Sequence, residues 1–201
     1  MAKVRLKVYI ESSILTDWLF LDTVKFGRAR KAVGQEAKFG YSLFNDILRG
    51  KYRNSAFVTS SWAVSESLQN YLRSYAMFNM LFDNLSLRYF EAVRDYPRYK
   101  MPRRAFSETK QLFLERLRQA EKRNRLAIVN THTKAEASHK YLYMGFDAVD
   151  AEHLAIAIDL IHANVLVTKD RDFHDRKTEL RKFGIDTQHP SDAASTSKKL
   201  E

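Results

Sequence analysis

Residues 147–173 read DAVDAEHLAIAIDLIHANVLVTKDRDF. Asp147 can accept hydrogen bonds from the free amides of a first helical turn, and the patterned stretch AVDAEHLAIAIDLIHA predicts the helix behind it. The apolar run VLVT at 165–168 follows directly, as a strand. Upstream, RLKVYI at 5–10 sets apolar Leu6, Val8 and Ile10 between charged or polar neighbours, which suits a strand entering a core, and it ends at Glu11. Ser12 or Ser13 then caps a helix through ILTDWLFL, and a longer helix covers about 27–49, with Val33, Ala37, Phe44, Ile47 and Leu48 on one face. A second strand is predicted at AFVTS, 56–60, before the helical run WAVSESLQNYLRSYAMFNMLF. From about 84 to 125 the pattern stays helical, with a break between Pro97 and Pro102. LAIVN at 126–130 is a third strand, after which Thr131 or Thr133 opens a helix that stops near Gly145. Beyond KDRDF, a helix near 175–183 ends with Gly184 at a C′ position, and Ile185 starts a last short strand.

Strands separated by helices imply right-handed crossovers and a mostly parallel sheet covered on both faces. The expected fold class is therefore α/β: a three-layer α/β/α sandwich with a central mostly parallel sheet, plus a helical insertion. Residues 1–190 read as one domain, with the insertion at about 70–125 and a polar, flexible C-terminal tail at 191–201.

Composition narrows the function. Of 201 residues, 45% are hydrophobic and 12% aromatic, enough apolar material to exclude an intrinsically disordered chain. The absence of cysteine excludes disulfide frameworks, thiolate zinc sites and cysteine nucleophiles, so a metal would sit on oxygen or imidazole. The start, MAKVRLKVYIESS, lacks the apolar core of a signal peptide, and no run of about 18 apolar residues follows. No membrane association and a cytoplasmic location are expected. The 34 Lys+Arg exceed the 24 Asp+Glu by 10, which points towards a polyanion, most often nucleic acid. Residues 88–125 hold twelve Lys+Arg against five Asp+Glu, so most of that surplus lies in the expected insertion.

Ligands of parallel sheets bind at the carboxyl ends of the strands. Four acids fall there: Glu11 after the first strand, Glu66 one turn into the helix after the second, Asp170 just past VLVT, and Asp150 in the first turn of the preceding helix. Taken singly, each has a structural reading, as a solvated strand end, an exposed helical acid, a cap or a turn former. Packed together they would repel and raise one another's pKa, and a hard divalent cation on oxygen ligands, Mg²⁺ or Mn²⁺, is the natural neutraliser. A metal held by acids within a basic protein suits phosphodiester cleavage.

VYIESS, the acid in SSWAVSE, DAVDAEHLAIAI and VLVTKDRDF occur in the order and context of PIN-domain proteins, which include the VapC-type ribonuclease toxins. The chain resembles that family over about 7–68 and 126–187, most closely where Asp150, Ala151, His153, Ala155 and Ala157 lead to Thr168, Asp170, Asp172 and Phe173. The resemblance implies a Mg²⁺- or Mn²⁺-dependent endoribonuclease with Glu11, Glu66, Asp150 and Asp170 as catalytic acids. Of these, Glu11, Asp150 and Asp170 would hold metal. Asp172 would be an accessory acid and Thr168 an orienting hydroxyl. It also implies RNA, single-stranded by preference, as substrate, an antitoxin protein as partner for a toxin, or else an RNA-processing role, and a homodimer. The family's first acid is more often Asp, so Glu11 departs from it by one methylene, about 1.5 Å of reach.

His153, one turn beyond Asp150, either touches the metal shell or packs within the helix layer. Tyr71, Tyr75, Phe78 and Phe82 repeat at helical spacing and read as core or a dimer face. Arg98, Lys100, Arg103 and Arg104 flank prolines beside Tyr96 and Tyr99, a mixture that suits single-stranded RNA, where cations follow phosphates and rings stack on bases. His132, His139 and His174 show no ligand spacing. The alternative to the nuclease is a non-catalytic PIN-like RNA-binding or scaffold module. A helical DNA-binding protein would need a helix-turn-helix pair, and none is found.

Overall fold

The computed structural model describes residues 6–23, 35–52, 54–130 and 135–199. The chain opens with β1 (Leu6–Ile10), α1 (Ser12–Thr23) and α2 (Gln35–Arg49), then β2 (Ser55–Ser60) and α3 (Ser61–Phe82). A 3-10 turn at Leu87–Tyr89, α4 (Phe90–Val93) and α5 (Arg103–Lys122) lead to β3 (Ala127–Val129) and α6 (Ala135–Tyr143). The last third holds α7 (Ala148–Leu154), which passes into a π-helical stretch (Ala155–Leu160), then β4 (Val165–Val167), α8 (Arg171–Asp175), α9 (Lys177–Lys182), β5 (Asp186–Gln188) and α10 (Pro190–Lys199).

All strand pairs are parallel, in the order β3-β2-β1-β4-β5. β1 is the middle strand, in register with β2 at Val8↔Phe57 and with β4 at Tyr9↔Leu166 and Ile10↔Val167. Because side chains alternate along a strand, Val8 and Ile10 join Phe57, Val165 and Val167 on one face while Tyr9, Val58 and Leu166 point to the other. The first face is covered by Ile14, Leu15, Trp18 and Leu19 of α1, Leu43, Phe44 and Ile47 of α2, and Phe113 and Leu117 of α5. The second is covered by Tyr141 of α6, Ala151 and Leu154 of α7, Phe173 of α8 and Leu180 of α9. Two cores on a five-stranded parallel sheet make this the α/β/α sandwich the sequence predicts. Among the described residues no helix is long and apolar enough to cross a membrane.

Several boundaries differ from expectation. The helix expected from 27 is described from Gln35, and its start, like that of α6 at Thr131 or Thr133, lies outside the described residues. The stretch at 70–125 contributes Tyr71, Phe113, Leu117 and Ala120 to the main core, and only Ala76, Met80, Phe90 and Tyr99 form a separate small cluster. The helix after Asp147 widens beyond Leu154, where Ile161 N donates to Ile156 O at 2.9 Å. The segment 191–201, expected as a flexible tail, is helical through Lys199, and its buried Ala193 joins the main core.

One close approach bears on the site. Gly40 in α2 lies against Asp17 of α1, and a Cβ there would collide with the Asp17 carboxylate oxygen and stand 3.1 Å from its Cβ and Cγ. Asp17 in turn holds Lys169 Nζ at 2.6 Å, between Thr168 and Asp170. Overpacking of this kind costs about 1–3 kcal/mol, against a helix-propensity gain of about 1 kcal/mol for Gly→Ala. Gly40→Ala is therefore expected to lower the urea midpoint, and a raised midpoint would show that Asp17 swings aside freely.

Candidate functional site

In the order β3-β2-β1-β4-β5 the chain moves outward in opposite directions from β1 and from β4. Their carboxyl ends therefore border the crevice where open parallel sheets take ligands. Glu11 leaves β1 there, its amide donating to Val167 O at 3.2 Å. The longer arm of Glu, compared with Asp, folds back so that one carboxylate oxygen accepts from Ser13 N at 2.9 Å and from Thr168 Oγ1 at 3.1 Å, while the other accepts from Ser12 Oγ. Thr168 Oγ1 also accepts from Asp170 N at 2.9 Å. A single buried hydroxyl thus ties the acid after β1 to the turn after β4.

His153 reaches the crevice from α7 and is fully buried. Its Nε2 lies 2.6 Å from Glu66 Oε2 and 3.7 Å from Glu11 Oε1, and its Nδ1 lies 3.0 Å from Tyr9 Oη. Burial alone would push the imidazole pKa down. The hydrogen bond to Glu66 and the charges of Glu11, Glu66 and Asp150 outweigh it and hold the pKa above the usual histidine value. Burial likewise pushes Glu66 up, but the His153 hydrogen bond and charge, with Ser12 and Asn70, bring it below the usual carboxylate range. With both ring nitrogens protonated, Nδ1–H donates to Tyr9, the Tyr9 hydroxyl donates to Ser60 Oγ at 2.8 Å, and Ser60 Oγ accepts from Ala63 N at 3.0 Å as the cap of α3. Burial pushes the Tyr9 phenol far up, so it stays a donor throughout.

The remaining acids form a second group. Asp150 is 9% exposed, and no described residue donates a hydrogen bond to its carboxylate. Burial first, then the charges of Asp170, Asp147 and Glu11, push its pKa up to about 7, with His153 opposing. One carboxylate oxygen from each of Asp150, Asp170 and Asp172 lies within 4.8 Å of the others, as do ligand atoms of Glu11, Glu66 and His153. Asp147 is the cap of α7, accepting from Val149 N at 2.8 Å and Asp150 N at 2.9 Å, which leaves Asp150 to face the crevice. Asp170 caps α8 through Asp172 N at 3.0 Å.

The expected ligand set of Glu11, Asp150 and Asp170 is therefore divided. In the first group both imidazole nitrogens are engaged and the acids are balanced by a cationic ring. In the second, two exposed carboxylates gather around a buried one that has no hydrogen-bond donor among the described residues. That is an oxygen-only donor set with surplus negative charge, and it fits Mg²⁺ or Mn²⁺.

The four basic residues expected to meet RNA lie on the crossover before α5 and at the start of α5. Arg98 pairs with Asp83 at 2.6 Å, Lys100 with Asp95 at 3.2 Å and Arg104 with Glu108 at 2.9 Å, while Arg103 is exposed at the start of α5. Tyr99 is buried and Tyr96 exposed, so only the latter offers a face for stacking. Phe78 packs edge-on against Phe20 and Phe82, and Tyr71 is core. His174 Nε2 lies 3.0 Å from Thr168 O, His139 is exposed on α6, and His132 is outside the described residues. Sequence reasoning underweighted His153 and overlooked Tyr9 and Ser60. The alternation in RLKVYI assigns Tyr9 to the polar side, but a sheet covered on both faces buries that side too. Compared with family models, curated proteins and solved structures, the chain matches none.

Proposed function

We propose that the protein is a PIN-like endoribonuclease that hydrolyses phosphodiester bonds of RNA with Mg²⁺ or Mn²⁺. The observation that supports this most is the Asp150 carboxylate: buried at a sheet switch point, without a hydrogen-bond donor among the described residues, and flanked by Asp170 and Asp172. Asp150, Asp170 and Asp172 would hold the cation, which when bound supplies Lewis-acid polarisation of a phosphate and a more acidic water. Thr168 fixes Glu11 and the backbone of Asp170 in one geometry. The His153–Glu66 pair keeps a proton beside Glu11 and limits the repulsion that a phosphate would otherwise meet at this rim. The chain's surplus of positive charge favours a polyanion substrate. A toxin restrained by an antitoxin and an RNA-processing enzyme would both use this activity.

A second reading, a non-catalytic RNA-binding or scaffold module, is favoured by Glu11, whose carboxylate is engaged by Ser12, Ser13 and Thr168 and lies 3.7 Å from His153. Cleavage of single-stranded RNA separates the two. Wild type is expected to cut in Mn²⁺ and not in EDTA, and Asp150→Asn to cut more slowly by about 10²-fold or more. RNA binding with no Mn²⁺-dependent cleavage in wild type would favour the second reading.

A further inference from the structure

The helix that carries Glu66 also walls a second cavity, of about 470 Å³. Gln69, Asn70 and Arg73 of α3 form one side, and Arg94, Tyr99 and Lys100 of the crossover between α4 and α5 form the other. Asn70 belongs to both places, since it lines the cavity and hydrogen-bonds the Glu66 carboxylate one helical turn away. Arg73 follows about 10 Å along the helix from Glu66. Three cations line the cavity against one acid, Asp95.

These cations are held in place but remain exchangeable. Glu91 pairs with both Arg73 Nη2 at 3.1 Å and Arg94 Nη1 at 2.8 Å, and Asp95 pairs with Lys100 Nζ at 3.2 Å. All five side chains are exposed, so each pair contributes little and an incoming phosphate can replace it. Behind them the wall is firm. Tyr99 and Phe90 are buried with Ala76 and Met80, and the Arg73 guanidinium lies 5.2 Å over the Phe90 ring.

We infer that this cavity is a subsite for a nucleotide of single-stranded RNA next to the acid crevice, with Arg73, Arg94 and Lys100 on its phosphates and Gln69 and Asn70 on its polar edges. The inference rests on the proposed function for the identity of the polymer. Its size is that of a small-ligand pocket, which admits one splayed-out nucleotide but not a duplex. Its charge also answers a difficulty of the crevice, whose carboxylates repel phosphate: Arg73 on the same helix as Glu66, with Arg94 and Lys100 across the cavity, holds the chain where the acids alone would expel it.

Fluorescence anisotropy with a labelled single-stranded oligoribonucleotide in EDTA tests this apart from catalysis. Arg73→Glu/Arg94→Glu is expected to bind at least about ten-fold more weakly, with a log–log salt slope smaller by about 1.4 for two lost phosphate contacts. Glu91→Gln releases Arg73 from its acid and leaves Arg94 only a 4.0 Å contact with Asp95, and is expected to bind about two- to three-fold more tightly, a gain that misfolding cannot produce. Arg103→Glu/Arg104→Glu, outside the cavity, is expected to lose less than the first pair. Unchanged affinity in either Arg73→Glu/Arg94→Glu or Glu91→Gln, an equal loss in Arg103→Glu/Arg104→Glu, or tighter binding of duplex RNA by wild type would overturn the subsite. If wild type binds RNA without cutting it and Arg73→Glu/Arg94→Glu loses that binding, the subsite stands and the nuclease falls. If cleavage and binding both persist in that variant, the nuclease stands and the subsite falls.

Discussion

Asp150→Asn is expected to melt higher than wild type in metal-free buffer at pH 8, and to lose most of the stabilisation that Mn²⁺ gives wild type. In the folded chain the Asp150 carboxyl keeps its proton up to about pH 7, whereas its ordinary value is 3.8. Between these values the native state binds more protons than the unfolded one, so stability falls as pH rises through that window and the whole penalty is present above it. The full shift would correspond to about 4 kcal/mol, which solvent screening at the crevice mouth reduces to about 1–2 kcal/mol. For a chain of this length that is roughly 3–6 °C in Tm. Asn removes the charge and hence the penalty. Mn²⁺ at a hundred times its Kd would stabilise wild type by about 2.7 kcal/mol, or roughly 5–10 °C. An equal Mn²⁺ shift in wild type and Asp150→Asn would place the ion away from Asp150. A variant that melts lower would mean that the carboxylate is held by donors rather than repelled by its neighbours.

The sheet was legible in the sequence because its strands are short apolar runs bounded by polar caps. VLVT, AFVTS and RLKVYI each leave an acid or hydroxyl at their carboxyl end, and parallel topology brings those ends together. The division of the acids into two groups was not legible. It depends on the buried His153 ring, whose two nitrogens span from Tyr9 on β1 to Glu66 on α3, residues 144 and 87 positions away along the chain. Sequence spacing could set His153 one turn beyond Asp150 on a single helix but not show that it turns towards another helix. Nor could local pattern reveal the pairing of basic side chains. Arg98 meets Asp83 across a turn and Arg73 meets Glu91 across the crossover, so a net count of charge over 88–125 misses acids and cations that pair with it from outside.

His153→Ala is expected to cost the most stability of any single change at this site, about 3–5 kcal/mol. The ring is fully buried and carries the charge that balances Glu66 at 2.6 Å and Glu11 at 3.7 Å, so its removal leaves two carboxylates facing each other and takes one of the two partners of the Tyr9 hydroxyl. Unlike a surface ion pair, this one loses its counter-charge where water does not readily replace it. The pH dependence separates this from a simple cavity. Because the folded-state pKa of His153 is raised, its contribution is fully present below the ordinary histidine value of about 6.5 and is lost as pH rises through the folded value. Stability of wild type to urea should therefore weaken as pH rises above about 6.5, and that slope should be missing in His153→Ala. The partner change tests the same coupling. Glu66 is lowered, so its contribution is present above its ordinary value of 4.5 and is lost on acidification. If the pair is one unit, His153→Ala/Glu66→Gln should be less destabilised than the sum of the single changes by more than about 1 kcal/mol. Strict additivity would mean that His153 acts only as packing, and the cationic bridge between the acids after β1 and β2 would have to be abandoned.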